Sequence, residues 1–464
     1  MLAISVLIYL SVTIIIGVLA SRFVHNSEDF VLAGRKLPLF LASSAVFATW
    51  FGSETIMGAS SEFVQHGLLG VIEDPFGASL CLILVGVFFA RPIYRMNILT
   101  FGDFYRIRYD RHVELLAGFF LIISYFGWIA AQLVAMGIIL NVVFGTSLLA
   151  GVLISSTIML IYTYIGGMWS ISITDSIQTI VIISGLLFLM IELLSKTGGF
   201  EMVLQRTPDH FFQILPEANP KAITYYVAAW ITIGLGSIPQ QDVFQRVMSA
   251  KSEKVAVQAS YVGGFLYLTV AFIPLFIGLI SKLNYPELSG SDQQMVLPMA
   301  ALQHSNMFVQ IIFFGALLSA ILSTSSGATL APATILAENI IRPFFPKLTD
   351  KNFLRLLRGS VVIVAVISTI MASMRSNIYE LVGESSALSL VSLFVPMVAG
   401  LYWKRATKTG AMAAMILGML TWLAFEFSSL DVPSLMPALG MSFVGMIVGS
   451  FLSSKRILTF RANE

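Results

Sequence analysis

Two stretches gather polar oxygens where the surrounding sequence is otherwise apolar. SAILSTSSGAT, Ser319 to Thr329, sets the adjacent hydroxyls of Ser323 and Thr324 beside Ser326, which follows Ser323 at i+3 on one helix face, with small Ala320 one turn earlier. Hydroxyl and carbonyl oxygens are what a hard cation such as Na⁺ accepts, because neutral oxygens replace its hydration shell without trapping it. The same residues would serve as interhelical glue, since Ser and Thr often bond across membrane helices. FATWFGSETIMG, Phe47 to Gly58, places Trp50, Ser53, Glu54 and Thr55 around Gly52. A carboxyl group at membrane depth is costly and by default functional. Glu54 is suited to accept from a substrate ammonium or to take up a proton; in an outer vestibule it would merely tune the field.

The scaffold for these residues follows from composition. The chain has 464 residues, of which 57% are hydrophobic and 11% charged, with a mean hydropathy of +0.87; a soluble domain carries about 25% charged residues. It reads as an all-α polytopic membrane protein. At about 20 apolar residues per crossing, thirteen spans are predicted near 2–20, 38–62, 69–90, 113–142, 147–165, 174–195, 222–245, 256–281, 305–341, 354–374, 379–403, 409–427 and 433–453. The run 305–341 exceeds a simple span and predicts a tilted or broken helix that projects into the cytoplasm. The first span has no basic n-region or small-residue cleavage pattern, so it is expected to be a retained helix rather than a signal peptide.

Several function classes are excluded or disfavoured. A lone Cys81 allows no internal disulfide or cysteine metal cluster, and the five histidines show no ligand spacing. No nucleophile and base stand at a sensible spacing, which argues against an enzyme. There is no segment resembling a channel filter, and no nucleic-acid partner is expected. The polar segments near 196–221 and 282–297 are ordinary loops, which argues against a receptor kinase.

All but Lys196, Arg206, Lys221, Lys282 and Arg375 of the 27 lysines and arginines fall on alternate loops, the tail residues Lys455, Arg456 and Arg461 included. The positive-inside rule then places the N-terminus outside and the C-terminus in the cytoplasm. Asp103, Arg106, Arg108 and Arg246 read as cytoplasmic-loop topology determinants and interfacial salt bridges, with gating as the alternative. The second span is interrupted at Phe51-Gly52-Ser53-Glu54 and the seventh at GLGSIPQQD, Gly234 to Asp242, where Pro239 removes a backbone donor. The seventh span comes five after the second, an odd offset, so the two broken helices cross in opposite directions, as in inverted-repeat transporters. Irregular backbone at that depth is tolerated where it is buried in protein or lines a cavity, although glycine and proline are also simply frequent in membrane helices.

Five stretches together resemble the sodium:solute symporter family: FATWFGSETIMG, YIGGMWSISITDSIQ, IPQQDVFQRVMSAKS, SAILSTSSGATLAPATILAENI and LFVPMVAGLYWKRATKTGA. The resemblance runs in order from about residue 28 to 420. It implies a LeuT-type five-plus-five inverted repeat forming a single transporter domain over 1–464: a leading helix (1–30), repeats at 38–196 and 222–403, and two trailing helices (409–453). It also implies Na⁺ as the coupling ion, a small organic solute as cargo, and sufficiency of the monomer. The sodium ligands would be Ala48, Phe51, Ala320, Ser323 and Thr324. A second sodium would use Asp175 and Ser326, but Gly327 stands where another hydroxyl is expected, and Asp175 could instead be a helix N-cap after Gly166-Gly167.

For the substrate the resemblance points to Trp50, Ser53, Glu54, Thr55, Asp74, Phe76, Trp128, Gln132, Gln240 and Gln241. SLCLILVGVFFARPIYRM and IPQQDVFQRVMSA look most like the choline-transporter branch, where aromatic rings hold a cation. Trp50 and Trp128 supply two walls, whereas Gln240 replaces a third ring and Ala78 gives none, which leans toward an amino acid or other amine-bearing solute. Glu384, another intramembrane acid, would join the ion pathway or bond Ser385 and Ser386. The implied function is sodium-coupled import by alternating access; the alternatives are a transporter-like sensor or a symporter for choline or another solute class. The style of the chain suggests a bacterial inner membrane.

Overall fold

Apolar segments without water must satisfy their own backbone, and winding into helices does so. The computed structural model describes residues 1–290 and 293–453, so Lys455, Arg456 and Arg461 lie outside the described residues. Among the described residues, ten helices are long and apolar enough to cross a membrane, or up to eleven if the bent pair Pro220–Gly236 and Gln241–Ser249 is one span. Thirteen were expected. The count is lower because expected segments abut with no long loop between them: Glu54–Arg95 joins two of them across the non-helical Gly67 and Asp74, and Leu148–Thr197 joins two across the non-helical Gly167, while Leu39–Trp50 is a short apolar helix.

Gly167 shows why the second boundary was blurred. It sits inside Leu148–Thr197 at φ 54° and ψ −157°, a local kink that leaves helical hydrogen bonding on both sides. A β-carbon there would lie 2.5 Å from the Phe30 ring and 2.6 Å from the Phe30 carbonyl oxygen. Gly167→Ala is therefore expected to cost more than Gly199→Ala, where φ is 99° but nothing lies within 4 Å. The control should lose about 1–2 kcal/mol from backbone conformation alone. Thermal unfolding in detergent checks the order, and equal melting points for the two variants would remove the close-contact argument.

The two predicted interruptions are present. Helix Leu39–Trp50 stops at Phe51 (φ −87°, ψ 73°) and helical structure resumes at Glu54. Pro220–Gly236 and Gln241–Ser249 meet at a 48° bend. The ends of the two broken elements away from the breaks are joined by a parallel β-bridge between Leu37 and Ala250: Leu37 N–H donates to Ser249 C=O at 3.0 Å and Lys251 N–H to Leu37 C=O at 2.9 Å. Helix Met307–Ile335 packs on Leu39–Trp50, Arg111–Phe144 and Leu148–Thr197, which brings the SAILSTSSGAT stretch against the first break.

Of the four charged residues read as loop positions, Arg246 lies within a span, whereas Asp103, Arg106 and Arg108 do lie in the connection between Glu54–Arg95 and Arg111–Phe144. Arg246 belongs to helix Gln241–Ser249 and is buried, because Thr49 on the first broken helix receives it. Asp103, Arg106 and Arg108 lie on helix Phe101–Arg108, with Asp103 closing a capping box with Thr100. Arg108 ties down two carbonyls, Gly400 at 2.8 Å and Trp403 at 3.0 Å, and Arg106 pairs with Asp103 at 3.0 Å. Glu384 is not an isolated intramembrane acid: its carboxylate is partly exposed and takes a two-pronged contact from Arg375, one prong at 2.7 Å.

Candidate functional site

Where a helix stops, the carbonyls of its last turn lose their intrahelical donors. Ala48 is in that turn, and Ser323 Oγ and Thr324 Oγ1 both donate to its carbonyl, at 3.0 and 3.2 Å. Ser323 also donates to Asp175 Oδ1 at 2.5 Å, so its one hydroxyl hydrogen faces two acceptors. Among the described residues Asp175 Oδ2 meets no donor at all. Ala48, Phe51, Asp175, Ala320, Ser323 and Thr324 are all fully buried. A buried cluster with more acceptor oxygens than hydrogens suits a cation, which satisfies several lone pairs at once. These donors fit Na⁺.

Two expectations about this cluster change. Asp175 is no N-cap: it lies mid-helix, two turns beyond Gly167. Ser326 turns its hydroxyl back onto its own helix, toward the carbonyls of Leu322 and Ser323, a habit of helical serines. Gly327 does not open a space, because a β-carbon there would lie 2.4 Å from Arg246 Nη2.

Next to the cluster, a cavity is lined by Trp50, Glu54, Trp128 and Gln240 of the predicted substrate residues. Glu54 is fixed by two donors, Trp128 Nε1 to Oε1 at 2.9 Å and Gln132 Nε2 to Oε2 at 2.7 Å. Gln132 also accepts from Ser53 N–H at 3.0 Å, and so positions both the break and the carboxylate. Gly52 permits this approach: a β-carbon would meet Glu54 Oε2 at 2.5 Å and Thr324 Oγ1 at 2.7 Å. The backbone at Gly52 therefore separates the cation cluster from the cavity by the width of one residue.

The remaining predicted residues stand behind the wall. Thr55 Oγ1 donates to Asp74 Oδ2 at 2.9 Å, and Tyr267 OH to Asp74 Oδ1 at 2.7 Å. Phe76 packs against Trp230 and Phe272, and Gln241 accepts from Phe101 N–H at 2.7 Å. Ser53, Thr55, Asp74, Phe76, Gln132 and Gln241 do not line the cavity. Sequence reasoning missed Tyr267, Ser237, Ser385 and Ser386, which do. It also missed Asp242, which anchors Trp50 Nε1 at 2.8 Å and accepts from Tyr125. Asp242 lies in the broken-helix stretch GLGSIPQQD and could have been found there; Tyr267 sits in an apolar run with no motif.

Comparison with known proteins bears on the family and the fold. The sodium:solute symporter family matches residues 30–418. Relatives include the high-affinity choline transporter 1 of Drosophila melanogaster, 28% identical over 435 residues that span 90% of this chain and 69% of that protein. The sodium/proline symporter of Escherichia coli (strain K12) is 26% identical across 96% of this chain and 92% of its own. Among solved structures, a substrate-bound, outward-open Na⁺-coupled sialic acid symporter gives a TM-score of 0.84 at 19% identity, covering 98% of this chain and 99% of that one. A nucleobase-cation-symport-1 family transporter in a closed conformation gives 0.64 at 15% identity, covering 91% and 94%. These structural likenesses establish an all-helical, LeuT-like membrane fold. With the family matched over most of its length, the chain belongs to the sodium:solute symporter family and is a sodium-coupled solute symporter, not an enzyme.

Proposed function

We propose that the chain imports a small amine-bearing solute together with Na⁺, held at Ala48, Phe51, Ala320, Ser323 and Thr324. The observation that carries the reading is Glu54, a carboxylate on the cavity wall whose oxygens are both fixed by neutral donors. Among the described residues no basic side chain lines that cavity, so a solute ammonium is the natural counter-charge. Trp50, Trp128 and Tyr267 add three aromatic rings, which favour a cation on its apolar side. Tyr267 supplies the third ring that Gln240 does not, and it supports an alkylated ammonium, choline included, as the second reading.

Residues 38–196 and 222–403 are read as inverted repeats. A straight helix of 50 residues would reach about 75 Å, more than twice the roughly 30 Å hydrocarbon core, so Gly167 is read as the fold-back between two passages. Counting it so, and Leu39–His66 as a broken span, recovers thirteen passages with the N-terminus outside. Asp175 completes the charge balance of the first Na⁺; the inward turn of Ser326 and the guanidinium against Gly327 speak for one ion rather than two. A bacterial inner membrane is the expected location.

Na⁺ bound between Leu39–Trp50 and Met307–Ile335 would hold the first break in place, and with it Glu54. That is how cation binding prepares the solute site. Uptake of labelled amino acids, betaine, choline, sugars and carboxylates into proteoliposomes, with and without an inward Na⁺ gradient, tests this. Sodium-dependent accumulation of one amine is the expected result; accumulation of a sugar or carboxylate in its place would overturn it.

A further inference from the structure

A second, narrower cavity lies on the other side of Trp50, walled by Val46, Leu82, Val85, Val243, Val247 and Ser260. Trp50 lines both cavities, so its indole, tethered to Asp242 at 2.8 Å, stands between them. Val46 precedes Trp50 by one turn and Val247 is one turn from Ala250, which places this inner cavity toward the Leu37–Ala250 bridge.

Its charged group is Arg246. Nε and Nη2 donate to Thr49 Oγ1 at 3.1 and 2.6 Å, while Nη1 is buried and, among the described residues, makes no hydrogen bond. Arg246 feels the charges of Asp242 and Asp175, yet Asp242 spends its oxygens on Trp50 and Tyr125. A dry guanidinium N–H without an acceptor is unfavourable, and a carboxylate is the group whose geometry matches it best. The valine and leucine methyls around it suit the carbon body of the same molecule.

We propose that this cavity is an inner station for the solute, where Arg246 binds the carboxylate of a small zwitterion after its ammonium leaves Glu54. The inference rests on the amine-bearing reading above and narrows it to solutes that carry both groups, amino acids and betaines rather than choline. Trp50 then divides two stations of opposite charge preference: a carboxylate on one side and a guanidinium on the other.

The test uses the purified full chain in proteoliposomes with an inward Na⁺ gradient. Proline, alanine, glycine betaine and choline are the probes; the last two share a trimethylammonium head and differ in carboxylate against hydroxymethyl. The wild type is expected to accumulate a zwitterion at least about tenfold better than choline. Val247→Phe, which fills the inner cavity and leaves every charge in place, and Arg246→Gln are expected to keep sodium-dependent binding of that zwitterion. Both should lower its uptake by about tenfold or more. Val247→Phe stays informative where Arg246→Gln does not fold. Preference for choline, wild-type uptake in both variants, or parallel loss of binding and uptake would each overturn the proposal. So would a wild type whose uptake requires chloride rather than sulfate in the medium, since chloride would then be the anion on Arg246. If the wild type accumulates no amine at all, the amine-bearing reading fails first; intact uptake that ignores the inner cavity fails this inference alone.

Discussion

Replacing Ser323 and Thr324 together by alanine is expected to abolish sodium-driven accumulation while leaving the protein folded. Both hydroxyls converge on the Ala48 carbonyl, and Ser323 also holds Asp175 Oδ1. Alanine at both positions removes two oxygens from the cation cluster and leaves acceptors without hydrogens. Each lost oxygen contact to a charged group is worth about 1.5–3 kcal/mol, so with two ligand oxygens gone apparent Na⁺ affinity should fall by roughly 100-fold or more. The measurement is uptake against Na⁺ concentration. Ser326→Ala is the control, because its hydroxyl is spent on its own helix and its removal should leave the Na⁺ dependence unchanged. A double variant that transports with the wild-type Na⁺ curve would show that the hydroxyls are packing glue.

The second large effect is expected at Glu54. In Glu54→Gln one of the two carboxylate oxygens becomes an NH₂ group, which then faces the donor of either Trp128 or Gln132, a donor-to-donor conflict. The cavity wall also loses its charge. Removing one partner of a buried charged contact costs about 2–5 kcal/mol, so sodium-dependent binding of the amine should weaken by at least about 30-fold. A swap separates the two causes. Glu54→Gln with Gln132→Glu restores the count of donors and acceptors, but Gln132 does not line the cavity. Melting temperature should recover in the swap while amine binding stays weak. Full recovery of binding would make the carboxylate's position at the wall irrelevant, and the amine reading would fall with it.

What the sequence made legible was local. Glycine and proline marked both broken helices because their effect on the backbone needs no distant partner. Ser323 and Thr324 stood out because paired hydroxyls are unusual in so apolar a run. What it hid depended on remote contacts. Arg246 looked like one more basic loop residue, since counting charges along a chain says nothing of depth; its partner Thr49 is 197 positions away. Asp74 and Thr55 looked like ligands because they are polar and deep, but they satisfy each other and Tyr267. Gly167 shows a boundary that composition places well but whose form it hides: a single non-helical residue, at φ 54° and ψ −157°, parts two helices with no loop between them.

The parallel bridge between Leu37 and Ala250 has a mechanical consequence. Two backbone hydrogen bonds, the Trp50 to Asp242 contact and the Arg246 to Thr49 contacts rivet Leu39–Trp50 to Gln241–Ser249 along their length. Breaking such a set costs several kcal/mol, so these two half-helices behave as one stiff strut. Compliance is left to the joints, Phe51 to Ser53 and Ser237 to Gln240, that connect the strut to the other halves, Glu54–His66 and Pro220–Gly236. Any passage that opens toward the bridge must therefore form by other helices sliding off the strut, and not by the strut splitting lengthwise.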